Sequence, residues 1–382
     1  MKKPILVWLL FLLAACSNQN TPLAPQTGVP TQTPTPNIAT VPAVTGQPPH
    51  AHDLYLAIYN GRAEQFGYVP QACLANAQEC RKIQYLPITF EQNAVSPQVW
   101  APDGNSFATM QFITDSNSDI VISSADGKNM TNITNSPEHE DVLGWSPDGS
   151  QVIFERDIET GIPHVEVWIS AKDGRNMRKL ADGCCAQISP DGKLLYYLAP
   201  PQPGSSSADV VAKDVFVAEI SAGGASNVKN LTNSPDDERQ LSLSPDGKTI
   251  ALEVLSSQDV SRLYLMNNDG TNKHIATTLE HPHAIAWSPD GHKIAFTSTP
   301  SHTTPPDIYV VDLRDGSFVN VSNSASAGVA SQDPVWSPDG SQILFAWTSD
   351  ATICIVNADG SNLRKLTKAS DQVEYESVSW RP

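Results

Sequence analysis

Apolar and polar residues alternate along most of this chain in short runs, and no helical period of useful length interrupts them. One stretch shows the pattern clearly. Residues 284–287 are small and apolar (Ala-Ile-Ala-Trp), 293–298 read Lys-Ile-Ala-Phe-Thr-Ser, 307–312 read Asp-Ile-Tyr-Val-Val-Asp, and 318–321 read Phe-Val-Asn-Val. These are four strands rich in Val, Ile, Tyr and Phe, with turn residues between them. The next stretch repeats the order at 342–347, 352–357 and 363–366, with Ala358-Asp-Gly-Ser361 as a turn.

The turn after the first strand of each unit returns along the chain. Its copies are Trp100-Ala-Pro-Asp-Gly104, Trp145-Ser-Pro-Asp-Gly149, Ile188-Ser-Pro-Asp-Gly192, Leu243-Ser-Pro-Asp-Gly247, Trp287-Ser-Pro-Asp-Gly291, Trp336-Ser-Pro-Asp-Gly340 and a truncated Trp380-Arg-Pro382. The aspartates stand at 103, 148, 191, 246, 290 and 339, so the steps are 45, 43, 55, 44 and 49 residues. A period of about 40–50 residues with strand contents predicts an all-β fold, a β-propeller with one four-stranded blade per repeat. Pro presets φ, Asp bonds its own backbone and Gly accepts positive φ, so the repeated Asp is turn chemistry and not a catalytic or metal series. Asn267-Asn-Asp-Gly270 echoes part of a calcium loop but lacks the later Glu. The Trp slot is filled by Ile188 and Leu243 in two copies, which marks it as packing between blades.

The unit x-Trp-Ser-Pro-Asp-Gly-x-x-Ile-Ala-Phe … Ile-Tyr-Val-x-Asp … Leu-Thr resembles the PD40, or TolB-like, propeller repeat. Its Leu-Thr stands here as Leu231-Thr232 and Leu366-Thr367, with Ile133-Thr134 close to it. The resemblance covers residues 51–382. It implies a propeller, but such repeats serve periplasmic binding proteins, peptidase propellers and polysaccharide lyases alike.

Seven inner-strand phrases predict seven blades, with six plus a stray terminal strand as the alternative. The last phrase ends at Pro382, so its blade needs three strands from elsewhere. Residues 54–59 and 82–86 are good strands and 66–74 a poorer one. N-terminal outer strands would therefore complete a blade with the C-terminal inner strand, closing the ring and removing free edges. Residues 200–214, rich in Pro, Gly and Ser, read as a loop inserted in the third blade.

Residues 1–15 read as a lipoprotein signal: Met-Lys-Lys, an apolar run over 5–13, then Leu13-Ala14-Ala15-Cys16. The resemblance to a lipobox implies cleavage before Cys16 and lipid on that residue, hence a membrane anchor. Residues 16–50, largely Thr, Pro, Gln, Asn and Ala with almost no charge, cannot form a core and read as a tether. The expected location is the cell envelope: an outer membrane, facing the periplasm, or the outer cell surface of a one-membrane bacterium. Net charge is −17, and loss of Lys2 and Lys3 with the signal makes it more acidic still. A phosphate-binding footprint is missing, so nucleic acid is excluded as a partner class. Cys73 and Cys80 flank a presumed hairpin and are candidates for a disulfide, which export permits. The neighbours Cys184 and Cys185 read as two thiols or a reactive pair, and Cys354 as a buried inert thiol.

Loops leading into the inner strands crowd one mouth of a propeller channel. Four residues before the Trp slot the seven units carry Ser96, Asp141, Cys184, Arg239, His283, Gln332 and Glu376. Glu138, His139, Glu140, Glu238, His281, Asp333 and Glu374 lie nearby. One polar slot before a mostly apolar strand forms a candidate binding ring for a peptide or small ligand. The favoured function is a non-catalytic, monomeric module that binds an envelope protein or peptide, with no cofactor and no metal. The alternative is a lyase or hydrolase with a site at the channel mouth, its metal held by His139, His281 and His283. A peptidase would need a separate domain with a Gly-x-Ser-x-Gly elbow, and neither motif nor spare length is present.

Overall fold

The structure, a computed structural model, describes residues 52–59, 63–70, 84–91, 98–114, 117–159, 164–201, 212–299, 304–325, 328–348, 352–367 and 374–382. These form seven four-stranded antiparallel sheets. In chain order, blades 1 to 6 occupy residues 99–132, 139–182, 184–230, 237–280, 282–320 and 331–365. Blade 7 joins Glu374–Trp380 to Leu54–Tyr59, Ala63–Val69 and Gln84–Glu91. Seven blades with an N-to-C closure is the arrangement that the repeat count predicts. Within blade 7 two strands differ from expectation. One runs over 63–69 where 66–74 was expected, and the outermost runs over 84–91 where 82–86 was expected.

Side chains alternate to the two faces of each sheet, and both faces pack on neighbours. Ile153, Val167 and Ile169 of blade 2 meet Leu195, Tyr197 and Ala218 of blade 3. Ala251, Leu263 and Leu265 of blade 4 meet Ile285, Ile294 and Phe296 of blade 5. Each Val, Leu, Ile or Phe among them contributes about 1.5–3 kcal/mol on full burial, so the ring is held by the seams between its blades.

The turns are closed by directed bonds of their own. In blade 2 the Ser146 hydroxyl donates to Asp148 at 2.6 Å, and Asp148 accepts from the Ser150 N–H at 3.0 Å. The same Ser-to-Asp bond closes the turns at Asp191, Asp246, Asp290 and Asp339. These hydrogen bonds hold the five carboxyls below the usual Asp range, as turn chemistry requires. Tryptophans in the slot pin blades 2, 5 and 6 to the blade before each. Trp145 donates to the Val99 carbonyl at 2.8 Å, Trp287 to Ser242 at 3.0 Å and Trp336 to Ala286 at 3.0 Å.

Closure uses main chain and side chain together. Leu54 pairs with Trp380 and Tyr59 with Glu374. Beyond the strand, the His52 N–H donates to Arg381 and the Arg381 N–H to Asp53, at 2.9 and 3.0 Å. The Tyr55 hydroxyl, buried in blade 7, donates to the Ala125 carbonyl of blade 1 at 3.0 Å. The ring has two unlike faces: the Ser-Pro-Asp-Gly turns lie on one, and the inner strands begin at the other. The N-terminal segment joins the body on the turn face, because Leu54 lies opposite Trp380.

Candidate functional site at the channel mouth

A loop network fixes where three inner strands start. The third strands of blades 1, 3 and 5 carry Asp119, Asp214 and Asp307. Each accepts from the Asn of a following Asn-x-Thr/Ser-Asn-Ser phrase: Asn132 at 2.6 Å, Asn230 at 2.7 Å and Asn320 at 2.8 Å. Each also accepts the backbone N–H of the last Ser: Ser136, Ser234 and Ser324. Those serines then bond the next inner strand. Ser136 donates to Glu140 at 2.9 Å, Ser234 to Glu238 at 3.4 Å, and Ser324 shares a 2.6 Å bond with Ser331. Glu140, Glu238 and Ser331 are fully buried, and each immediately precedes a residue of the polar slot.

Buried acids at two of these points carry their own cations. Arg156 pairs with Glu140 at 2.7 Å and Lys273 with Glu238 at 2.6 Å. Burial nevertheless leaves both carboxyls above their ordinary range.

The slot residues fall as follows. Asp141 lies opposite Glu155, Cys184 opposite Leu198, His283 opposite Thr297 and Gln332 opposite Ala346. Arg239 and Glu376 sit where the register shifts, between Glu238 and Gln240 and between Tyr375 and Ser377. Ser96 lies outside the described residues, as do Cys16, Cys73 and Cys80; of Glu376 only the backbone is described. The inner strands of blades 2 to 7 all carry a register shift at the slot or within three residues after it. A bulge twists a strand and re-aims its side chains. In three blades the residue after the slot adopts positive φ: Cys185 at 60°, Ala284 at 50° and Asp333 at 56°. For non-glycine residues this costs about 1–2 kcal/mol each. Strain repeated at one level of the channel is a reason to look there for function.

The electrostatics of the mouth are acidic. Asp141 faces Glu155 across the strand pair, and Asp157 faces His139 on the same side. Desolvation, helped by the charge of Asp157, pushes the Asp141 carboxyl up to about 7. Desolvation raises Asp333 to about 6. Glu155 accepts the Cys185 N–H from the next blade, and Glu253 meets Nδ1 of His283 at 3.3 Å. Arg239 is half exposed and bonds Asp237 at 3.1 Å. Cys184 and Cys185 are thiols, their sulfurs 3.0 Å apart.

Glu155, Asp157 and Glu253 escape a sequence reading of the slot because they lie on second strands. Their signal is an acid inside an apolar run, as in Val-Ile-Phe-Glu155 and Ala-Leu-Glu253-Val-Leu. The histidines suggested as metal ligands do not gather. His139 bonds Ser118 at 2.8 Å, and burial pushes it toward the neutral form. His281 lies 3.5 Å from Ser261, while His283 faces Glu253. Among the described residues one group of three possible ligands exists, His164, Glu166 and Asp182, on the side of blade 2. Lys179 bonds both of its carboxylates, which gives that group its cation.

Residues 210–382 match the family model of the TolB beta propeller domain, PD40. The seven-bladed ring is similar to TolB propellers. A Tol-Pal system protein TolB of Francisella tularensis subsp. tularensis is 24% identical over 245 residues, 51% of this chain and 53% of the relative. The chain thus spans about half the length of the curated relatives it matches. Among solved structures, TolB from Acinetobacter baumannii aligns with a TM-score of 0.52 at 16% identity, covering 86% of this chain and 82% of that one. An oligogalacturonate lyase in complex with manganese reaches 0.55 at 12% identity, covering 83% and 86%. The tricorn protease reaches 0.59 at 11% identity, covering 88% of this chain but 36% of its own. At these identities the likeness shows a shared propeller fold alone.

Proposed function

We propose that this TolB-like propeller is a non-catalytic scaffold of the bacterial cell envelope. Lipid on Cys16 and the Pro- and Thr-rich tether hold it to a membrane. It binds an envelope protein, or a peptide segment of one, at the mouth carrying Asp141, Arg239, His283, Gln332 and Glu376. The tether joins the turn face, so the mouth, on the opposite face, would point away from the membrane. The Tol-Pal relatives support the envelope setting, and the TolB propeller match supports a binding role.

The observation that carries the reading is the state of Asp141 and Asp333. Desolvation pushes both carboxyls toward neutrality, to about 7 and about 6. A Lys or Arg offered by a partner would restore their charge and be held by it. Arg239, on the same ring, is suited to a partner carboxylate. The expected ligand is therefore a segment with basic residues, bound more weakly as salt rises.

Co-purification from envelope extracts tests this. The triple variant Asp141→Ala, Arg239→Ala, Glu376→Ala, checked for an unchanged fold, should lose the partners that the parent captures. Equal capture at equal salt would place binding elsewhere. Cys16→Ala should release the protein from membranes while leaving capture by the purified body intact; a Cys16→Ala chain that fractionates with membranes like the parent contradicts the anchor.

A further inference from the structure

Blade 3 differs from the other blades at the level of the polar slot. Two cysteines stand there in sequence, Cys184 in the slot and Cys185 directly after it. The approach to them is fixed. Gly183, the link from the outer strand of blade 2, holds φ at 150°, and a Cβ on it would collide with the Leu198 carbonyl. Its N–H donates to the Val165 carbonyl at 2.8 Å. Cys184 then pairs opposite Leu198 and is 3% exposed, whereas Cys185 is partly exposed.

Neighbours in a regular strand send their side chains to opposite faces, which would hold two such sulfurs apart. The bulge of blade 3 breaks that rule. Register shifts between Cys184 and Gln187, and Cys185 takes a φ of 60°. Ala284 and Asp333 take the same positive φ at the equivalent place in blades 5 and 6. The conformation therefore belongs to the ring and is not imposed by sulfur. The Glu155 carboxylate of blade 2 fixes it from outside by accepting the Cys185 N–H. On this frame the two Sγ atoms lie 3.0 Å apart. That is about 1 Å beyond the length of a disulfide bond.

We propose that Cys184 and Cys185 form a redox site that closes to a disulfide between neighbours. The oxidant is an external disulfide, and the step is thiol–disulfide exchange. Cys185, the better exposed sulfur, loses its proton and attacks one sulfur of the oxidant. A Cys185–oxidant bond forms, the oxidant's S–S bond breaks, and its other sulfur leaves as a thiolate that takes up a proton. Cys184 loses its proton in turn and attacks Cys185 Sγ. The Cys184–Cys185 bond forms and the second oxidant sulfur leaves and is protonated. The pair has given up two electrons and two protons, and the oxidant has become two thiols.

Closure is reversible by its own chemistry. Adjacent Cα atoms are about 3.8 Å apart, inside the separation of about 4.4–6.8 Å that disulfides ordinarily span. The ring is strained, and strained disulfides are the ones that thiols reopen. The closed pair would hold the Cys185 N–H on Glu155, which lies opposite Asp141. Oxidation would thus stiffen one side of the channel mouth. The redox site requires no partner at that mouth and stands whether or not a protein binds there.

The test equilibrates the full chain with mixtures of oxidised and reduced glutathione, quenches with acid, alkylates, and digests with trypsin. Cleavage after Lys179 and Lys193 isolates residues 180–193, whose only cysteines are the pair. By mass spectrometry that peptide should lack two hydrogens and carry no alkyl group, and should take up two alkyl groups after reduction. Because the fold presets the sulfurs, the equilibrium constant for oxidation should exceed that of the synthetic peptide 180–193 by about tenfold or more. Cys184→Ser should stop at a mixed disulfide of Cys185 with glutathione; an unreactive Cys185 in that variant would overturn the order of attack. A pair that stays fully alkylated, or that links to glutathione or to another cysteine in place of its neighbour, would overturn the proposal. Equal constants for the folded chain and the peptide would overturn it too.

Discussion

At the residue scale, Asp141 sets the sharpest expectation. Its folded-state carboxyl titrates near 7, above the ordinary Asp value of 3.8, because burial and Asp157 disfavour its charge. Between those values the folded state holds a proton that the unfolded chain has released. Stability on this account falls as pH rises from about 4 to about 7, then stays level. Asp141→Asn should therefore raise the melting temperature at pH 8, by roughly a few degrees, and change it little at pH 4. Equal effects at both pH values, read by thermal scans, would show that the carboxyl is not desolvated. The Ser-Pro-Asp-Gly aspartates offer the contrast: equally repetitive, they are held ionised by their turns, and no such profile attaches to them.

At the scale of the element, the turns also differ in how tightly the blades press on them. Gly247 and Gly291 have nearly the same positive φ, 71° and 70°. A Cβ on Gly247 would come within 2.6 Å of Pro190, whereas one on Gly291 would sit an ordinary 3.7 Å from Pro245. Gly291→Ala should cost only the backbone strain, about 1–2 kcal/mol. Gly247→Ala should cost clearly more, as measured by denaturant unfolding; equal losses would mean that Pro190 yields freely. Such turns are legible in sequence because Ser, Pro, Asp and Gly act on their own four residues. So are the Trp slot and the polar slot, since both recur at fixed offsets. Glu155 and Glu253 are less legible, because their partners, the Cys185 N–H and His283, come from the next blade. The positive φ of Cys185, Ala284 and Asp333 arises from strand register, which no local residue preference announces.

For the whole molecule, closure is the structural claim and the channel mouth the functional one. The seventh blade exists only because residues 54–91 and 374–380 share a sheet. Deleting residues 377–382 should expose a sheet edge, lower the melting temperature by roughly ten degrees or more and promote aggregation. A truncated chain melting with the parent would make the last strand dispensable. The two faces then differ: the described chain enters at the turn face, where Leu54 lies opposite Trp380, and the acidic residues Asp141 and Glu155 lie at the other. If that ring binds basic segments through Asp141 and Asp333, binding must release protons from carboxyls that titrate near 7 and near 6. The most direct measurement is quantitative capture of envelope proteins by the parent and by Asp141→Asn, Asp333→Asn at pH 5.5 and pH 8. The account predicts that parent capture strengthens from pH 5.5 to pH 8 and that the variant captures weakly at both. Strong capture by the variant, or parent capture indifferent to pH, would contradict it.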